Sequence, residues 1–134
     1  MELLKRVFDD HPAPASDAGR QALALVHSAA ECAAACTACA DACLSEEEVT
    51  RMRGCVRSCL DCADLCTVTG RLVSRPGEQD ADTLRALLAA CATACRACAE
   101  VCARHDDMEH CAACAESCRG CAEACEAMRA AIVG

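Results

Sequence analysis

The chain has 134 residues, the length of one domain, and its apolar fraction of 54% owes much to alanine and to 17 cysteines, because Phe8 is its only aromatic residue. A formal net charge of −8 argues against nucleic acid as a partner, since binding a phosphate backbone needs clustered Lys and Arg. No signal-peptide core is recognisable, and no run approaches about 18 uncharged apolar residues, so we expect a cytoplasmic protein with no membrane partner.

Four helices are predicted after an N-terminal arm. The prolines of "HPAPAS" divide the chain into an arm and a bundle, residues 1–16 and 17–134. Alanine- and leucine-rich stretches, separated by the linker "SRPGEQD" and by polar turns, predict helices over 17–44, 45–73, 82–104 and 107–132. Ser45 and Glu48 have the spacing of a capping box at the start of the second helix, and Asp106 or Asp107 is the predicted N-cap of the fourth.

The cysteines repeat with the period of an α-helix. Sixteen of them follow the pattern C-x3-C-x2-C-x3-C four times, and only Cys111 falls outside it. An offset of 59 converts the first two sets into the last two, so residues 32–66 and 91–125 are a duplicated helical hairpin. The four sets are Cys32, Cys36, Cys39 and Cys43; Cys55, Cys59, Cys62 and Cys66; Cys91, Cys95, Cys98 and Cys102; and Cys114, Cys118, Cys121 and Cys125.

Each set forms one narrow stripe on its helix. At 100° per residue the four cysteines fall within about 60° of arc, while Arg, Glu and Asp occupy the other faces. Short connections within each hairpin favour antiparallel neighbours. We therefore predict an all-α fold, an up-down-up-down four-helix bundle with the cysteines lining its axis.

Sixteen aligned cysteines are too many for ordinary packing. Ala, Val or Leu would fill such positions without the risk of oxidation, although a single buried cysteine is usually just a small apolar residue. Thiolates select Cu(I), zinc or iron–sulfur clusters. Zinc favours separate tetrahedral sites and clusters have other spacings, so Cu(I) is preferred. Zinc or cadmium sequestration and a cytosolic thiol redox protein stay open as alternatives, and nothing in the sequence indicates an enzyme.

The repeated cysteine pattern in an alanine-rich chain resembles the cytosolic copper storage proteins, a four-helix-bundle family of bacteria. The resemblance covers about residues 20–132, and its spacing is highly specific. It implies that the sixteen repeat cysteines bind many Cu(I) ions along the axis, with Cys111 as an addition near one end. It also implies a homotetramer that protects the cell from copper or holds a reserve. A copper chaperone is a candidate partner.

The two ends of the predicted bundle differ in chemistry. Toward the linker the stripes continue as an apolar plug formed by Leu25, Val73, Leu84, Leu87, Leu88, Met128 and Ile132. Toward the hairpin tips they continue with polar residues and with side chains that bind copper. We therefore predict an entry site for Cu(I) made by Met52, His105, Met108, His110 and Cys111. His11, in the arm, and His27, off the stripe, are given no role.

Overall fold

A computed structural model describes residues 2–133, and the described part of the chain contains helices and no strand. A short 3-10 helix, Val49–Met52, precedes the third α-helix. The α-helices are α1 (Glu2–Asp9), α2 (Asp17–Leu44), α3 (Arg53–Val73), α4 (Ala81–Ala103) and α5 (Glu109–Ala131). The predicted all-α fold is confirmed.

The four long helices form a closed ring. Each packs against its two neighbours in the cyclic order α2, α3, α4, α5, and α2 contacts α5 to close the ring. Consecutive helices are joined by short connections and therefore run antiparallel. This is the predicted up-down-up-down bundle, in which every stripe of cysteines faces the same axis.

Two helices begin at side-chain caps. The Ser16 hydroxyl accepts a hydrogen bond from the Gly19 amide at 2.9 Å and starts α2. The Asp80 carboxylate accepts from the Thr83 amide at 3.0 Å and from the Thr83 hydroxyl at 2.6 Å, and these bonds lower the pKa of Asp80. With Asp80 as its N-cap, α4 begins at Ala81, one residue before the predicted start at residue 82.

Two predicted caps are wrong. Ser45 ends α2 instead of starting α3, because its amide and its hydroxyl both donate to the Asp41 carbonyl at 3.1 Å. Glu48 precedes the 3-10 helix and makes no side-chain capping bond. The fourth long helix begins after Met108, which also caps without its side chain, so neither Asp106 nor Asp107 is the N-cap. At both tips the helix therefore starts at a residue other than the one that the local capping signals predict.

The arm is more ordered than its prolines suggest. Its helix α1 packs Leu4 and Phe8 against the bundle core, while Leu3 and Val7 are exposed by 72% and 65%. The division into an arm, residues 1–16, and a bundle, residues 17–134, stays a prediction.

The apolar plug closes the linker end. Five of its seven predicted members are buried with at most 3% exposure, namely Leu25, Val73, Leu84, Leu88 and Met128. Leu87 and Ile132 are half-buried. These larger side chains supply apolar area that the cysteine and alanine layers lack.

Helices α2 and α4 are long and apolar enough to cross a membrane, judged by length and composition alone. This is weak evidence, since core helices of globular proteins meet the same criterion. In this fold both helices direct their cysteines toward the other helices of the bundle.

The plug should dominate the stability of the metal-free protein. Truncating Leu88, which has no exposed surface, to alanine should lower the free energy of unfolding by about 2–5 kcal/mol, because it removes buried methyl groups and leaves a cavity. Leu3→Ala is the matched control and should cost little. Denaturant unfolding of both variants tests this, and equal losses would contradict it.

Candidate metal centre

All 17 cysteines lie in the interior of the bundle as free thiols. None is more than 2% exposed, and none forms a disulfide. The prediction that the stripes converge on the axis is confirmed. Cys111 joins the column as well, because it precedes Cys114 by three residues and so lies on the same face of α5.

The thiols contact one another both along and across the helices. Cys32 and Cys36, one turn apart on α2, have sulfurs 3.8 Å apart. Contacts between helices are equally short, at 3.5 Å from Cys36 to Cys118 and 3.5 Å from Cys55 to Cys102. A disulfide needs about 2.05 Å, whereas two ligands of one metal at about 2.3 Å each lie within this range.

These contacts form one continuous array. Several groups of four sulfurs have all members within 4.8 Å of one another and share members with the next group. Five such groups are Cys32/Cys62/Cys66/Cys95, Cys32/Cys36/Cys62/Cys118, Cys36/Cys59/Cys98/Cys114, Cys39/Cys55/Cys59/Cys102 and Cys39/Cys43/Cys55/Cys111. Separate tetrahedral centres require ligands of their own. Shared ligands instead suit sulfurs that bridge neighbouring ions.

Burial and neighbouring thiols govern the protons of this array. Near the hairpin tips, desolvation is the main cause that raises the pKa of Cys43 and Cys111. Deeper in the bundle, hydrogen bonds from Cys118 and other thiols lower the pKa of Cys32, while contacts with Cys121 and other thiols raise that of Cys66. Because burial disfavours the charged form of a thiol, deprotonation of the whole array requires a cation that compensates the thiolates.

His110 connects the array to the surface at the hairpin tips. Its Nδ1 lies 3.5 Å from the sulfurs of both Cys39 and Cys111, and its Nε2 lies 3.2 Å from Glu46 Oε1. Contact with Cys39 and then with Glu46 raises the pKa of His110 despite partial burial. An imidazole held between solvent and two thiols is placed to pass a soft cation inward.

The other residues of the predicted entry site lie at the same end. Met52 is fully buried just before α3, and Met108 is half-buried against the core. His105 is half-buried, and its Nδ1 is buried without a hydrogen-bond partner among the described residues. An ion pair of 3.8 Å between Arg51 and Asp107 joins the two tips.

Sequence reasoning missed the role of Glu46. It lies at the position equivalent to His105 under the offset of 59, in the connection that follows the end of α2. The sequence shows this equivalence, but only the closure of the bundle brings this connection next to α5. Glu46 thereby becomes the partner of His110.

The remaining histidines are His11, in the arm, and His27, on α2. His11 Nδ1 accepts a hydrogen bond from the Ala13 amide at 3.0 Å, within the arm. His27 Nε2 is buried and has no partner in the described structure. The absence of a metal role for either residue stays a prediction.

An all-α bundle with a continuous interior array of free thiols defines a class of protein that binds several soft metal ions. The sequence model of the copper storage proteins matches residues 19–130, most of the chain. The chain therefore belongs to the copper storage protein family.

Relatives agree with this assignment. The copper storage protein Ccsp of Streptomyces lividans, solved with 10 copper equivalents, is 44% identical, covers 96% of this chain and 99% of its own, and superposes with a TM-score of 0.92. The same protein solved with five coppers is 48% identical over 85% of this chain and 96% of its own, at a TM-score of 0.83. The cysteine-rich protein YhjQ of Bacillus subtilis strain 168 is 35% identical over 66% of this chain and 77% of its own.

In the metal-free protein the pKa of His110 should be raised, and Glu46 should contribute to this shift. We expect His110 to titrate above the ordinary value of 6.5, so protonated His110 stabilises the tip below about that pH, and this contribution disappears as the pH rises through the folded-state pKa. Replacing Glu46 by glutamine should lower the pKa of His110. Histidine NMR titration measures both, and an unchanged pKa in Glu46→Gln would contradict the assigned contact.

Proposed function

We propose that the protein stores Cu(I) in its interior, with the cysteines of the four stripes and Cys111 as ligands. The observation that carries this proposal is the continuity of the thiol array. Its sulfurs lie 3.5–4.0 Å from neighbours on the same helix and on other helices. A chain of bridging thiolates gives capacity for many ions.

Cu(I) fits this array better than the alternative metals. It accepts two or three sulfur ligands, so a pair one turn apart on a helix and a bridge to the next helix both suffice. Zinc and cadmium sequestration would need groups of four sulfurs that act separately, but the groups here overlap at residues such as Cys36 and Cys62. The known copper-loaded relative supports the same choice.

A thiol redox function is the less favoured alternative. It requires disulfides to form between cysteines as part of the cycle, and each would have to bring two sulfurs from at least 3.5 Å to about 2.05 Å inside a packed bundle. The reducing cytoplasm, the location we propose from the cytosolic relative, also keeps thiols free.

Loading exchanges protons for copper. Each cysteine thiol must lose its proton to bind copper as a thiolate, and burial keeps unliganded thiols such as Cys43 protonated. Copper binding should therefore release protons and weaken as the pH falls. Bound ions also stabilise the bundle by mass action, since the unfolded chain cannot gather the same ligands.

Cu(I) enters at the hairpin tips in this proposal. His110 is partly exposed and touches Cys39 and Cys111, so it can take an ion from solvent or from a chaperone and pass it on by ligand exchange. His105, Met52 and Met108 add soft or borderline ligands at the same end. The apolar plug makes the opposite end a poor entrance.

The biological setting follows from family membership. We propose a cytoplasmic store that either protects the cell from copper or supplies it, in a non-enzymatic role. We also propose a homo-oligomer, a tetramer by the family resemblance, with copper ions as the bound cargo and a chaperone as donor or acceptor. Neither nucleic acid nor a membrane is a proposed partner.

An anaerobic Cu(I) titration followed by elemental analysis tests storage. We expect a plateau far above four ions per chain, together with release of protons, because adjacent sites share sulfurs. Zn(II) is the control metal and should fail to displace the bound Cu(I). The protein should also retain its Cu(I) in competition with a strong Cu(I) chelator. A Cu(I) plateau of four or fewer would argue for separate zinc-like centres.

Paired histidine substitutions test the entry site. His105→Ala combined with His110→Ala should slow copper uptake by about tenfold, which corresponds to roughly 1.4 kcal/mol of activation free energy, with the final capacity nearly unchanged. His11→Ala, in the arm at the other end, is the matched control and should load at the normal rate. Unchanged uptake and removal rates in the double variant would refute entry at the tips.

A further inference from the structure

The thiol array ends, on the side of the linker, at two residues that are not plain hydrocarbons. Thr69 follows Cys66 by three residues, and Met128 follows Cys125 by three, so both stay on the cysteine face of their helices. The two positions are equivalent under the offset of 59. Ala29 on α2 and Leu88 on α4 are likewise equivalent to each other, and each precedes the first cysteine of its helix by three residues. Together the four residues form a layer that we call the floor layer: Ala29, Thr69, Leu88 and Met128. Its members are at most 2% exposed.

Thr69 is unusual for a buried residue. It is the only polar side chain among the buried described residues, and its Oγ1 has no hydrogen-bond partner there. Three other helical threonines, Thr37, Thr67 and Thr93, donate to the carbonyl four residues earlier at 2.7–2.8 Å. Thr69 lacks this bond although Thr67 makes it in the same helix. A buried unpaired hydroxyl is costly, so its position one helical turn beyond Cys66 points to an acceptor that the metal-free thiols do not provide.

A metal-bound thiolate is such an acceptor. Thiols accept hydrogen bonds weakly, whereas thiolates are strong, charged acceptors. The nearest sulfur by sequence is Cys66, whose neighbours Cys121 and Cys91 lie at 3.7 and 4.0 Å. Contacts with Cys121 and Cys91 also connect Cys125, the last thiol of α5, to this group. Thr69 therefore lies one helical turn beyond Cys66, which belongs to the last group of thiols at this end of the array.

Met128 adds a soft ligand to the same layer. Its thioether suits Cu(I), whereas leucine fills the comparable buried positions Leu25, Leu84 and Leu88. Met128 also borders a cavity of about 380 Å³ whose lining includes Phe8 and other residues of the arm. The unbranched methionine side chain has three rotatable bonds, so it can direct its sulfur toward the thiols.

We propose that the floor layer completes a further Cu(I) site of mixed thiolate and thioether ligands. Met128 Sδ and the thiolates of Cys91 and Cys125 bind the ion, and the Thr69 hydroxyl donates a hydrogen bond to the thiolate of Cys66, whose sulfur lies 4.0 Å from that of Cys91. The thiol protons pass to solvent as copper binds, and no group changes its oxidation state. The inference rests on the proposed function and assigns two residues that lie outside the cysteine pattern.

Methionine methyl NMR tests the thioether ligand directly. Protein labelled with carbon-13 at the methionine methyl groups has four such positions, Met1, Met52, Met108 and Met128, and Cu(I) does not broaden them because it is diamagnetic. Met128→Leu identifies the fourth signal. We expect that signal to move at full anaerobic loading and the variant to bind one ion fewer. A Met128 signal that stays in place while the thiols load overturns the site, whereas failure of the storage proposal would appear as little copper bound in any variant.

Thr69 variants test the hydrogen bond. Thr69→Val removes an unpaired hydroxyl, so the metal-free protein should unfold at a higher temperature, yet the last copper equivalent should bind roughly tenfold or more weakly, the factor that a hydrogen bond to a charged group supplies. Thr69→Ser should restore the affinity. Thr67→Val is the matched control and should leave it unchanged. A Thr69→Val variant that keeps its copper affinity, or loses it together with metal-free stability, refutes the role.

Discussion

Cysteine sulfurs pack against one another along the axis of this bundle, where most helical bundles have leucine and aromatic side chains. Seventeen buried thiols meet there with neighbours at 3.5–4.0 Å. Cysteine is a small side chain, and alanine fills much of the surrounding interface, so each layer buries little apolar area. The larger side chains are concentrated at the linker end instead. The metal-free fold thus depends on one apolar plug, and the remaining core is available for ligands.

Because different residues stabilise the fold and bind metal, the bundle can form before any copper is bound. A core of leucine would be more stable but could not bind metal, while an array of exposed thiols would oxidise and would attract any soft ion. Burial raises the pKa of thiols such as Cys43, so they stay protonated until a cation replaces their protons. The same interior therefore packs as a small-residue core without metal and serves as a continuous ligand set with it.

Divergence between the duplicated hairpins makes the two ends unlike each other. At the tips, Glu46 in one half corresponds to His105 in the other, and Met52 corresponds to Cys111. At the floor, Thr69 corresponds to Met128. Four-fold repetition of cysteine supplies capacity in the middle, where both halves are the same. Chemistry that differs between the halves is confined to the layers where ions would arrive and where the column ends.

The amino-acid sequence alone determined the class of fold and the composition of the interior, because a spacing of four, three and four residues forces one face of each helix to carry the cysteines. It also indicated which end is polar. Tertiary structure alone decided the contacts between elements: the Glu46–His110 pair, the unpartnered hydroxyl of Thr69 and the helix starts that overrode the capping signals at Ser45 and Asp107. Periodicity acts within a helix, whereas these features arise where four helices meet, and no local pattern encodes the side chain that another helix brings to that point.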